Sequence, residues 1–148
     1  MPKKKKFAVI DLFAGPGGLG EGFQKRDGFG PIISVEKDKT ACNTLKIRKI
    51  FHLINNNPSF SHLNYLDLIN TKEGLNKVLE DPQNNELKKE AKNSVWNHEI
   101  GTKGVKYTCN KIKQKLKNLG WPQKTSENNL ILIGGPPCQA YSLAGRSR

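Results

Sequence analysis

Acidic residues are scarce in this sequence: 13 Asp and Glu stand against 25 Lys and Arg, a formal charge of +12 over 148 residues. Such an excess favours a polyanionic partner, nucleic acid first. Cysteine is sparse too. Cys42, Cys109 and Cys138 are odd in number and form no CxxC pair, which argues against a disulfide framework or a zinc knuckle. A reducing cytoplasm fits, and no metal site is expected. Apolar residues make up only 35%, and the mean hydropathy is −0.64, so the core is modest. No run of 18 apolar residues occurs, which argues against a membrane span. The basic start Lys3 to Lys6 leads into Phe7 to Ala14. That stretch is too short for a secretory h-region and is broken by Asp11. No internal repeat is visible, and the length suits one domain.

What is present reads as α/β. Phe7 to Phe13 is a short apolar run with one acid, ended by Gly15, as expected of a buried parallel strand. Gly18 to about Arg26 reads as a helix, with Leu19 and Phe23 four apart. Pro31 to Glu36 is a second strand. Asp38 is placed to N-cap a helix running to about Ile50, with Ala41, Cys42 and Leu45 on one face. His62 to Leu68 reads as a weaker third strand ending at Asp67, and Asn129 to Gly134 as a clear fourth. The alternation predicts a parallel sheet with helices on both faces.

Residues 70–128 read as a helical, Lys/Asn-rich insert within a domain spanning 1–148. Asn70-Thr71-Lys72-Glu73 resembles a capping box. Leu75, Val78 and Leu79 follow at helical spacing, and Asp81-Pro82 stops them. A second helix is predicted from Glu86 to about Ile100. A third starts near Val105, with Cys109, Ile112, Leu116 and Leu119 as its stripe and Gly120 and Pro122 as its end. Seven lysines and no acid lie between Gly101 and Ser126. They make either a solvated helix face or a phosphate-contacting surface.

Two loops carry the chemistry. Gly15-Pro16-Gly17-Gly18-Leu19-Gly20 follows the first strand and opens the first helix. Glycines there permit a tight turn and close approach of a ligand to the backbone, and helix N–H groups beyond offer bonds to an anion. Glu36 ends the second strand 21 residues after Gly15, where a carboxylate can accept both hydroxyls of a ribose. GxGxxG with an acid fits NAD as well as an S-adenosyl cofactor. The second loop, Gly134-Gly135-Pro136-Pro137-Cys138-Gln139-Ala140-Tyr141-Ser142, follows the fourth strand. Its glycines and prolines make a rigid turn that presents one cysteine, as a nucleophile with a fixed approach requires. Arg146 and Arg148 lie near enough in sequence to favour a thiolate. Cys42 and Cys109 read as buried core filler.

Asp11-Leu12-Phe13-Ala14-Gly15-x-Gly17-Gly18 together with Gly135-Pro136-Pro137-Cys138-Gln139-x-Tyr141-Ser142 resembles the two leading motifs of the DNA (cytosine-5) methyltransferase family. The resemblance implies a Rossmann-like S-adenosylmethionine-dependent fold and methyl transfer from that cofactor to C5 of cytosine in double-stranded DNA. It assigns Cys138 as the nucleophile that attacks C6 of a flipped-out base. It lays Phe13 along the adenosine and brings Gly15, Gly17 and Gly18 to the methionine end. Glu36 would hold the ribose, Asp67 the adenine amine, and Pro137 the wall between cofactor and base. Lys37 stands where many relatives carry an apolar residue against the adenine.

The family's Glu-Asn-Val motif does not occur; the only Glu-Asn, Glu127-Asn128, precedes the fourth strand. No Gln-x-Arg-type motif follows the fourth strand, the one Gln-x-Arg being Gln24-Lys25-Arg26 near the first helix, and no target-recognition domain is found. The expectation is therefore an N-terminal portion, inactive alone. It would be completed by a C-terminal half carrying the recognition domain, in a bacterial restriction–modification enzyme. The alternatives are a tRNA cytosine-5 methyltransferase, an NAD(P)-dependent oxidoreductase, and a binding module without turnover. The oxidoreductase would leave Gly135 to Gln139 unexplained.

Overall fold

The structure, a computed structural model, describes residues 7–60, 62–70, 73–122 and 129–137. Four strands form one wholly parallel sheet: β1 (Phe7–Leu12), β2 (Phe29–Glu36), β3 (Val95–Asn97) and β4 (Asn129–Gly134), in the order β3-β2-β1-β4. β1 is central, and its Ala8, Val9, Ile10 and Asp11 are all buried. That is why its run is apolar on both faces rather than alternating.

The helices divide between the two faces. α1 (Gly18–Gln24) and α2 (Lys39–Asn56) lie on the face to which Asp11 and Ser34 point. The Asp38 carboxylate accepts the Ala41 amide at 2.7 Å, capping α2 as its sequence predicts. Glu21 on α1 receives His52 Nε2 of α2 at 3.0 Å and lies 3.5 Å from Arg48. α6 (Gly104–Asn118) covers the opposite face, where Leu116 packs against Ala8, Ile10, Ile33 and Val35.

Four expectations are corrected. Residues 62–68 form no strand. The Asn64 side chain accepts the Leu66 amide at 3.0 Å and starts α3 (Tyr65–Ile69), which packs on α2 and on α4 (Gly74–Glu80). Leu68 and Phe60 thereby join Ile50 and Leu87 in a core of helices beside the sheet. Asp67 consequently lies on a helix and not at a strand end. The expected capping box does not start α4 either. Asn70 closes α3, and Glu73 precedes Gly74 without a side-chain cap bond.

The helix expected over 86–100 ends early. α5 spans Asn85–Ser94, and the chain then extends into β3, where Ser34, Val35 and Glu36 pair with Val95, Trp96 and Asn97. The Lys/Asn-rich segment thus supplies a strand of the sheet. Finally, Cys42 is buried, as expected, but Cys109 is exposed. The stripe of α6 is covered at Leu116 and partly at Ile112 and Leu119, while the turn holding Val105 and Cys109 projects beyond that packing.

Candidate cofactor and base cleft

The C-terminal ends of the strands converge where the strand order reverses: the chain steps outward from β1 through β2 to β3 and then returns to β4 on the other side of β1. Open α/β sheets hold ligands at such a switch point. A cleft of about 430 Å³ opens there, walled by Phe13, Glu36, Lys37, His98, Ile100 and Pro137, among others.

The glycine loop leaves β1 through residues of left-handed backbone. Phe13 has φ 58° and Gly15 φ 54°, and Gly17 at φ 93° precedes α1. A Cβ on Gly17 would stand 2.6 Å from Leu45 Cδ2, so α2 closes that side of the turn. A Cβ at Gly15 or Gly18 would meet nothing within 4 Å. Their missing side chains leave open space beside the backbone, which is what a closely approaching ligand needs. Phe13 is 37% exposed and forms part of the cleft wall.

Glu36 binds this loop to the end of β2. Its Oε2 accepts the Gly15 amide at 2.8 Å, and its Oε1 accepts the Asp38 amide at 2.8 Å. Each oxygen keeps a further lone pair for a hydroxyl donor. Beneath the loop, Asp11 is 1% exposed. Burial pushes its carboxyl pKa up, the Gly20 amide pulls against this, and the charge of Glu36 adds to the rise.

β3 contributes residues that sequence reading missed. The Glu36 carbonyl accepts Asn97 Nδ2 at 3.1 Å, the His98 amide at 2.9 Å and Cys42 Sγ at 3.3 Å. Asn97 Nδ2 also reaches the Lys37 carbonyl at 2.8 Å. Asn97 thus holds the stretch of backbone that carries the Glu36 carboxylate. Beyond it, the His98 ring stacks on Trp96 at 4.2 Å and 3°, and His98 Nε2 is sealed from solvent without a hydrogen bond. Glu99 pairs with Lys37 at 3.5 Å on the cleft rim. Val95 and Trp96 favour extended chain, a two-residue signal too short to mark the strand in the sequence.

From the other side, β4 delivers Gly135 and Pro137 to the cleft. Gly134 has no room for a side chain, since a Cβ would collide with the Leu12 carbonyl. The structure thus brings Phe13, Gly15, Gly17, Gly18, Glu36 and Pro137 to one edge of the sheet. It does not bring Asp67 there. Cys138, the expected nucleophile, lies outside the described residues. The cleft suits an adenosyl group by its chemistry: open glycine backbone, a carboxylate at ribose position, and an apolar wall from Phe13 and Ile100.

Residues 7–62 match the family model described as C-5 cytosine-specific DNA methylase. The chain is 36% identical over 148 aligned positions to the Type II methyltransferase M.Bpa9945I of Bacillus paralicheniformis, covering 95% of this chain and 32% of that protein. It is 39% identical over 64 positions to the Type II methyltransferase M.PspPI of a Psychrobacter species, covering 40% of this chain and 15% of that protein. The chain therefore spans about a third of the length of M.Bpa9945I. No solved structure matches it. No helix among the described residues is long and apolar enough to cross a membrane.

Proposed function

We propose that the chain belongs to the C-5 cytosine-specific DNA methylases, as the family match over residues 7–62 and the 36% identity to M.Bpa9945I support, and that it forms the cofactor-binding and base-attacking part of a restriction–modification DNA cytosine-5 methyltransferase. S-adenosylmethionine, when bound, supplies the electrophilic methyl group. The observation that carries this reading is the Glu36 carboxylate bonded to the Gly15 amide at the mouth of an open glycine turn. In that position Glu36 accepts the two ribose hydroxyls, while Gly15, Gly17 and Gly18 pass the methionine end without side chains in the way. Phe13 and Ile100 face the adenine. Glu99, on the rim after β3, is the acceptor nearest in kind to the one Asp67 was expected to provide for the adenine amine.

Cys138 follows Pro137 directly, and its thiolate is the nucleophile. It adds to C6 of a flipped-out cytosine, and the electron pair of the C5–C6 double bond moves to C5. C5 would then take the methyl group, the electron pair of the broken sulfur–methyl bond staying on sulfur so that S-adenosylhomocysteine leaves. Loss of the C5 proton and expulsion of the thiolate restore the double bond. The positive charge of the chain supports double-stranded DNA as the substrate, with sequence choice and N3 protonation contributed by a C-terminal half carrying a recognition domain. The setting is the bacterial cytoplasm.

Calorimetry of the chain with S-adenosylhomocysteine and with NAD tests the cofactor assignment. Binding of the first alone is expected. Binding of NAD, or of neither, would overturn it.

A further inference from the structure

The Glu36 carboxylate is steered through a single peptide group. Its Oε1 accepts the Asp38 N–H at 2.8 Å, and that N–H belongs to the same peptide as the Lys37 carbonyl. A trans peptide is planar and resists rotation about its C–N bond, so whatever holds the oxygen also fixes the direction of the N–H on the opposite side. The Lys37 carbonyl is held by Asn97 Nδ2 at 2.8 Å.

The end of β3 is built for this contact. Asn97 is its last residue and stands opposite Glu36 in register. A side-chain NH2 carries two donor hydrogens, and Nδ2 reaches two successive carbonyls, Glu36 at 3.1 Å and Lys37 at 2.8 Å. The Glu36 carbonyl has a backbone partner as well, the His98 amide at 2.9 Å. Lys37 lies one residue beyond β2, where the strand pairing has ended, and there the Asn97 side chain takes the place of a neighbouring strand. Cys42 Sγ, on a side chain 1% exposed, lies 3.5 Å from Nδ2 and floors the contact.

We propose that Asn97 is a positioning residue for ribose recognition: by holding the Lys37–Asp38 peptide, it aims the Glu36 carboxylate at the two ribose hydroxyls of the cofactor. The inference rests on the reading of the cleft as an S-adenosyl site and assigns its ribose selectivity to a side chain 61 residues from the carboxylate. Without Asn97 the peptide is free to turn, and Oε1 follows the Asp38 N–H or loses it. Only Oε2, on the Gly15 amide at 2.8 Å, stays fixed. The bond from Oε1 to a hydroxyl is lost, while the contacts to adenine and to the methionine end are untouched.

The test is calorimetry of the wild-type chain, Asn97→Ala and Asn97→Asp with two ligands, S-adenosylhomocysteine and its analogue lacking both ribose hydroxyls. The wild-type chain should prefer the first. Asn97→Ala should weaken S-adenosylhomocysteine about tenfold, the worth of one good hydrogen bond, and leave the analogue within about twofold. Asn97→Asp, of the same shape but without the donor, should reproduce that split. Deuterium exchange of the Asp38 amide without ligand should be faster in both variants, and exchange of the Ile10 amide in β1 should not change. Asn97 is exposed, so the circular dichroism of both variants should match the wild type. Equal losses for the two ligands, which a merely structural role would give, would overturn the proposal. So would no loss for either, or an unchanged Asp38 exchange. Those three results leave the cofactor reading standing, because the wild-type chain still binds S-adenosylhomocysteine. A wild-type chain that bound neither ligand would overturn both.

Discussion

The Glu36 carboxylate accepts the Gly15 amide at 2.8 Å across 21 residues of sequence. The side chain proposed to serve the ribose is therefore also the one that fixes the glycine turn. Its second oxygen, on the Asp38 amide, couples the same group to the start of α2.

Glu36→Ala removes both functions at once. The loop amide of Gly15 is half-buried, and losing its acceptor should cost about 1 kcal/mol of stability, read from urea unfolding. Affinity for S-adenosylhomocysteine should fall at least tenfold by calorimetry. Glu36→Gln keeps one carbonyl acceptor and should recover the stability while leaving the affinity impaired. Unchanged binding in Glu36→Ala would remove this residue from the site.

Lys115 is 7% exposed, and its Nζ donates to the Lys92 carbonyl at 2.7 Å. Burial, with Lys111 and Lys92 nearby, lowers its pKa from 10.5 to about 8. The unfolded chain then holds more protons than the folded one between about pH 8 and 10.5, so stability rises with pH across that window. Below pH 8 the penalty for burying the charge is present in full. Lys115→Met should flatten the rise, which is worth up to about 3 kcal/mol. Urea midpoints of both proteins at pH 7.5 and 9.5 measure it. A parallel change in the two proteins would contradict the assignment.

Burial of Lys115 also divides the basic segment. Lys103, Lys106, Lys113 and Lys117 remain exposed, and Lys103 lies 5.1 Å from the centre of the Tyr107 ring. If this surface meets DNA, replacing the four with Gln lowers the slope of log K against log salt by about 1 for each phosphate no longer neutralised. Filter binding to a random duplex between 50 and 200 mM salt gives that slope. An unaltered slope would identify the face as merely solvated.

The sheet was legible where the chain is buried on both faces. β1 is such a run; β4, though largely exposed, shows the same continuous apolar pattern, and α2 announces itself through Asp38. The third strand was not legible, because it has three residues and follows Leu87 and Ala91 in helical step. The helical period of α5 masks the change to extended chain at Val95. Residues 62–68 misled for the opposite reason. Leu63, Tyr65 and Leu68 pack against a core made by α2, not against a sheet, and such side chains in a five-residue helix give no clear period. Reading a strand at 62–68 put Asp67 at a strand end and hid Asn97, His98 and Glu99, whose positions depend on pairing 60 residues apart. Cys109 was misjudged because its stripe reads as apolar throughout, and only the layer above it decides which turn is covered.

The sequence contains two tryptophans, and the fold sends one to each open surface. Trp96 lies against the imidazole that walls the cleft, and Trp121 lines a groove between α6 and β4. The protein thus carries its own fluorophores, one indole stacked on an imidazole at the first site and another partly buried beside α6 at the second. Replacing either by phenylalanine leaves a single emitter, so occupancy of the two surfaces can be followed separately by light, without any attached dye.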